Sequence, residues 1–275
     1  MAATITRHPA VAGRFYPRDP ETLRRDILGY LSHPSTKKAV RALGCIAPHA
    51  GYMYSGHVAG AVFANLEIPE AGIVLCPNHT GVGRPFAIVS DGAWETPLGT
   101  IPIDSVLAAA LKQRCPLLQE DLTAHLSEHA VEVELPFLQM LQPRLRFVPI
   151  ALGTRDFDAL AELGNAIAEV IAAYRSRVLI VASSDMNHYE SDAITRIKDE
   201  SAIAPILALD ARGLYDVVTQ QNVSMCGFGP AVAMLTATKK LGATSAGLVK
   251  YATSGDISGD RNWVVGYAGV IVPEP

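Results

Sequence analysis

Residues 146–183, RFVPIALGTRDFDALAELGNAIAEVIAAYRSRVLIVAS, decide the fold class. The stretch opens on an apolar run over 146–152, short enough for a strand and closed by Gly153. A periodic segment follows over 156–174, with Leu160, Leu163, Ile167, Val170 and Ile171 on one face at helical spacing. A second apolar run, RVLIVAS at 177–183, ends it. Strands that are apolar throughout are buried on both faces, and a crossover helix is the connection that parallel strands need.

The same rhythm extends in both directions. Upstream, ALGCIA at 42–47 reads as a strand, 55–66 as a helix with Ser55 placed to cap it, and GIVLC at 72–76 as a buried strand. Residues 86–103 read as a strand pair around a turn at Pro97-Leu98-Gly99, and Asp104 is placed to cap a helix over 105–114. A helix over 129–141 contains Pro136, which kinks it or marks its first turn. Downstream come helices over 192–208 and 213–220, one starting near Pro230, and strands at 246–252 and 263–272. The expected fold is α/β: a single-domain α/β/α sandwich whose largely parallel or mixed central sheet is covered by helices on both faces. No linker, composition shift or repeat divides the chain, so residues 1–275 read as one domain.

Composition narrows the function classes. Apolar residues make up 49% and charged residues 18%, too apolar for disorder and compatible with a homodimer contact. The net charge is −4 and no dense Lys/Arg stripe occurs, so no nucleic-acid partner is expected; Lys37, Lys38 and Arg41 read as a solvated loop. No window has the length and apolarity of a membrane span, and residues 1–17 lack the apolar core of a signal peptide. A cytoplasmic protein without a membrane partner is the expectation. The four cysteines, at 45, 76, 115 and 226, show no CxxC spacing and read as free thiols, Cys45 and Cys76 within core strands.

The chemistry concentrates where apolar runs end. His49 in Pro48-His49-Ala50-Gly51 follows strand 42–47, and His79 in Pro77-Asn78-His79 follows strand 72–76, with Asn78 placed to orient its ring. His188 follows strand 177–183 through Ser183-Ser184-Asp185. Asp185 is placed to accept from a histidine ring or to cap the next turn. Cys226 in Met225-Cys226-Gly227 precedes an apolar helix, whose positive end favours thiolate. In α/β folds such strand ends converge on one site, and three imidazoles with one thiol suit a metal ion. His129 and Glu132 share one helix face, either supporting that site or facing solvent. Neither Gly51–Gly56 nor Gly227-Phe228-Gly229 matches a Walker loop or a GxGxxG fingerprint, which argues against a nucleotide enzyme.

Taken together, these segments resemble the Memo family, whose bacterial and archaeal members are called AmmeMemoRadiSam system protein B. The family is related to class III extradiol, LigB-type dioxygenases. The resemblance spans nearly the whole chain: Ala10–Pro17, Ala47–Tyr52 with Tyr54, Pro77-Asn78-His79, Glu128-His129 with Glu132, Ser183-Ser184-Asp185 with His188, Cys226-Gly227 and Arg261-Asn262-Trp263. It implies a LigB-dioxygenase-like sandwich with metal ligands at His49, His79 and Cys226, and acid/base chemistry at His188 beside Asp185. Phe15, Tyr16, Tyr54 and His129 are the expected lining of the substrate pocket. The implied cofactor is one first-row transition metal ion, iron or copper, with zinc as an alternative; thiolate in place of a carboxylate ligand softens the site. The implied function is a metal-dependent oxidoreductase acting on a small molecule or peptide. The alternatives are a non-catalytic peptide- or protein-binding module in a vestigial pocket, and a zinc hydrolase.

Overall fold

The structure is a computed structural model, and it describes residues 5–32 and 39–275. Lys37 and Lys38 of the expected solvated loop lie outside the described residues. In chain order the first elements are β1 (Thr6–Arg7), α1 (Pro20–Leu31), β2 (Ala42–Ala47), α2 (Tyr52–Ala64), β3 (Ala71–Pro77), β4 (Phe86–Ile88), β5 (Ala93–Thr96) and β6 (Gly99–Pro102). Next come α3 (Ser105–Arg114), β7 (Gln119–Glu120), α4 (Thr123–Leu126), α5 (Ala130–Leu141), β8 (Arg146–Leu152) and α6 (Phe157–Ala173). The last are β9 (Val178–Ser183), β10 (His188–Glu190), α7 (Asp192–Leu207), α8 (Ala211–Gln220), α9 (Phe228–Lys240), β11 (Gly247–Thr253), α10 (Gly255–Ser258) and β12 (Val264–Pro273).

The main sheet runs β10-β12-β2-β9-β3-β8-β4-β7, with β11 also paired to β12. Its centre is parallel: β9 lies between β2 and β3, and β8 flanks β3. The antiparallel pairs β12 with β2 and β4 with β8 make it mixed. Alternation along each strand sorts side chains to two faces. Ile73, Leu75, Val148, Ile150 and Ile180 join the apolar layer that holds Leu160, Leu163 and Ile167 of α6 and Leu235 of α9. Val74, Cys76, Leu179 and Val181 join the opposite layer, with Leu23, Ile27, Phe63 and Phe137 from α1, α2 and α5. The predicted sandwich is therefore the observed architecture.

Two local expectations change. Helix α2 begins at Tyr52 with Gly51 in the capping position, and the Ser55 hydroxyl donates back to the Ala50 carbonyl instead of capping. Pro136 sits inside α5, past its first turn. Glu132 is fully buried, and it serves the N-terminal segment instead of His129. It pairs with Arg7 and accepts the Ala10 amide at 2.8 Å, the Val11 amide at 3.0 Å and the Tyr16 hydroxyl at 2.6 Å. Arg7 also donates to the His125 and Glu128 carbonyls and lies 4.4 Å over the Trp94 ring. This fully bonded buried ion pair fixes residues 7–16 onto α5, beside the sheet edge where the histidines collect.

A second buried carboxylate sets a pH response. Asp199 of α7 is fully buried and accepts from the Asn187 amide at 2.8 Å and the Tyr251 hydroxyl at 2.7 Å. Burial raises its pKa to about 7, against the two hydrogen bonds, which lower it. An acid with a raised pKa in the folded state binds its proton more tightly there than in the unfolded chain. Its contribution to stability is thus largest below the ordinary carboxyl range, and it declines as the pH rises towards about 7. Asp199→Asn is expected to flatten the decline in thermal midpoint between about pH 4 and pH 7. A variant with the slope of the parent would exclude Asp199 as its source.

Candidate metal centre

His49 and His79 each stand two residues beyond a central strand, β2 and β3, and Ser183–His188 continues from β9 between them. Three neighbouring parallel strands thus release their polar segments at one carboxyl edge, where ligands of α/β sheets collect. The N-terminus of α5 adds His129, and the turn before α9 adds Cys226. Among the described residues, the donor atoms of His49, His79 and His129 lie within 4.8 Å of one another and could hold a metal ion. The Cys226 sulfur lies 3.3 Å from His49 Nε2.

Each imidazole is held from behind. His49 Nδ1 lies 2.8 Å from the Ser183 hydroxyl, which also contacts the Ala130 carbonyl at 2.9 Å and Glu134 Oε1 at 2.7 Å. Ser183 donates its one hydrogen to these two acceptors, so it receives from His49. Burial pushes the Glu134 carboxyl well above its ordinary range, and His49 Nδ1–H donates to Ser183 Oγ. That leaves the lone pair of His49 on Nε2, beside Cys226. Burial, followed by the neighbouring imidazoles, moves His49 well below the usual imidazole value, so the ring is neutral and can ligate.

Glu128 performs the same task for His79 with a charge. It accepts His79 Nδ1 at 2.9 Å and the His79 amide at 2.6 Å, then the His129 and Ala130 amides at 2.8 and 3.0 Å, which opens α5. Burial lowers the pKa of His79, but the hydrogen bond and charge of Glu128 outweigh it and the net shift is upward. Burial acts to raise Glu128, and its bond to His79 leads the effects that hold it below the ordinary carboxyl value. Asn78, expected to orient the His79 ring, instead bonds its own loop through Thr80 and Gly81.

Asp185 and His188 do not bond each other as expected. Asp185 Oδ1 accepts the His49 amide at 2.9 Å and the Ala50 amide at 3.3 Å, so it shapes the turn that carries His49. Its pKa is raised to about 7 by burial. His188 Nδ1 donates to the Ser224 carbonyl at 2.9 Å, and the His188 amide donates to Ser224 Oγ at 2.7 Å. Burial lowers the His188 pKa, leaving a neutral ring with Nε2 as its free base. Cys226 also differs from expectation. Burial, then the charge of Asp185, raises its thiol far above the ordinary value, and the start of α9 does not offset them. Gly227 is required beside it, because a Cβ there would collide with the Ser183 carbonyl and Ser184.

These groups open on a cleft of about 600 Å³ lined by Phe15, His49, His79, His129, His188 and Cys226, with Asp185 and Tyr189. Phe15 packs on the His129 ring at 4.7 Å. Tyr16 and Tyr54, expected in the lining, stand elsewhere. The Tyr16 hydroxyl is committed to Glu132, and Tyr54 packs with Val58 and Tyr267. Glu128, Ser183, Glu134 and Ser224 received no role from the sequence. Only Glu128 carried a local signal, an acid immediately before a helix that begins with histidine.

A family model described as Memo-like protein matches residues 7–271. The chain belongs to the Memo family. It is 45% identical to a MEMO1 family protein of Methanopyrus kandleri over 97% of this chain and 99% of that one. It is 44% identical to a MEMO1 family protein of Methanothermobacter thermautotrophicus over 96% and 99%. Among solved structures, an uncharacterized protein of Escherichia coli K12 superposes with a TM-score of 0.54 at 13% identity, covering 84% of this chain and all of that one. That likeness concerns the fold alone.

Glu128 gives this Memo chain its sharpest test. Glu128→Gln removes the charge behind His79 while keeping an acceptor, and partners of this kind contribute about 10–100-fold to metal affinity. The variant is expected to hold Zn(II) that much more weakly in competition with a chromophoric chelator. Unchanged affinity in a folded variant would mean that His79 is not a ligand.

Proposed function

We propose that the protein is a metal-dependent oxidoreductase holding one iron or copper ion on His49, His79 and Cys226. The 3.3 Å approach of His49 Nε2 to the Cys226 sulfur, in a cleft that His79 also lines, supports this reading. Two imidazoles and a thiol at an open cleft fit a first-row ion that prefers nitrogen and sulfur. His129 is the competing third ligand. Its ring, however, lies 4.7 Å from that of His79 with only 19° between the planes. Imidazole lone pairs lie in the ring plane, so two nearly parallel stacked rings share an ion less readily than two that cross, although their donor atoms lie close together. His49 stands 80° and 85° from the two, and can converge with either. Cys226 is therefore the better third donor.

Such an ion supplies Lewis acidity and, as iron or copper, one-electron chemistry. The chain's own residues supply the rest. Phe15 and His129 form an aromatic wall, and His188 brings a neutral imidazole to the cleft with Nδ1 anchored on Ser224. That anchor aligns Nε2 to take or return a substrate proton, the role of a general base.

Two measurements test the ligand set and the base. Metal content after purification without added metal is expected to fall to background in Cys226→Ala and to persist in His129→Ala; the reverse pattern would replace Cys226 by His129. Oxygen uptake by the iron-loaded protein with ascorbate is expected to fall about 100-fold in His188→Gln at unchanged iron content. Uptake equal to that of the parent would remove His188 from the reaction.

A further inference from the structure

A second cleft, of about 450 Å³, shares His79 and Cys226 with the first. Its walls are the loop after β3 and the loop between β8 and α6, with Phe228 at the start of α9. The register of β4 on β8 sets Phe86 opposite Leu152, so the two strands bring Arg84 alongside Thr154 and Arg155. The Gly153 amide donates to the Pro85 carbonyl at 2.8 Å and ties the loops together there. The Arg155 guanidinium lies 4.8 Å over the Phe228 ring, which orients it flat against the cleft.

Both arginines are exposed, and among the described residues neither guanidinium has an acidic partner. Arg114, Arg144, Arg177, Arg196 and Arg261 each pair with a carboxylate, whereas Arg84 and Arg155 share one cleft with none. The nearby acids are already engaged. Asp121 accepts the Arg84 amide at 2.7 Å and the Thr123 amide at 2.8 Å, while Asp156 caps α6 through the Asp158 and Ala159 amides. Two guanidiniums lining one cleft offer an oxyanion charge-assisted hydrogen bonds from both sides.

We propose that Arg84 and Arg155 form a subsite for the carboxylate or phosphate group of the substrate, whose other end reaches His79 and Cys226. The substrate class is then a small organic acid or phosphate ester. The orientation of that substrate rests on the metal reading above; the anion subsite does not.

The test is calorimetric titration of the full chain after chelator treatment, with succinate and with inorganic phosphate as separate probes. The parent is expected to bind at least one of them, and Arg84→Gln/Arg155→Gln to bind it at least about tenfold more weakly. The paired lysine variant should recover part of the affinity. Binding of succinate alone assigns the site to carboxylates, and binding of phosphate alone to phosphate esters. No binding of either anion by the parent at about 10 mM, or equal binding by the glutamine variant, overturns the proposal. Metal uptake is measured on aliquots of the same preparations reloaded with Fe(II) and desalted. A chain that takes anion but no metal retains the subsite and loses the metal reading, and a chain that takes metal but no anion does the reverse.

Discussion

The hydrogen bonds of one buried residue, Glu128, tie together the end of β3, the start of α5 and the N-terminal segment. Its oxygens hold the ring and amide of His79 from the end of β3, and the amides of His129 and Ala130 that start α5. The carbonyl of the same residue accepts from Arg7, whose guanidinium also pairs with Glu132. Sheet edge, helix start and N-terminal segment therefore share one point of attachment. A buried anion is tolerated because four hydrogen bonds compensate it, and losing one partner would leave charge less compensated.

The two strand-end histidines are backed by carboxyl groups shifted in opposite directions. Behind His79 stands Glu128, whose pKa is lowered; behind His49 stands Ser183 and then Glu134, whose pKa burial raises. An ionised partner makes an imidazole more basic and a stronger donor, whereas a neutral hydroxyl mainly fixes its tautomer. The two nitrogen donors are therefore unequal by construction. His79 can accumulate positive charge, and His49, enclosed and backed by a hydroxyl, stays an uncharged ring.

How much of this was legible in the sequence follows from how local each cause is. The strands ending before His49, His79 and Ser183 were readable, because an apolar run followed by polar residues is a local signal and parallel strands bring such ends together. The buried partners were not. Glu132 and Glu128 sit four residues apart near the start of α5, yet Glu132 serves residues 7–16 and Glu128 serves His79, and only the packing of remote segments decides between them. The role of Asp185 was misread for the same reason: its neighbour His188 is three positions away, but the amides it accepts belong to residues 49 and 50, from the adjoining strand end. Arg84 and Arg155 are 71 positions apart and carry no motif; the β4–β8 register alone joins them.

At Cys226 the same kind of packing sets the state of the thiol. The start of α9 alone would favour thiolate, but burial of the sulfur and the nearby Asp185 favour the protonated form more strongly. Without a cation the position is an unreactive thiol. A cation at His49 and His79 would gain the thiolate only by displacing its proton, so binding through sulfur is coupled to proton release. Hard ions gain too little from sulfur to offset that displacement, and ions with affinity for thiolate gain enough. The protein environment that suppresses the thiolate is thus the same one that would make the centre discriminate among metals.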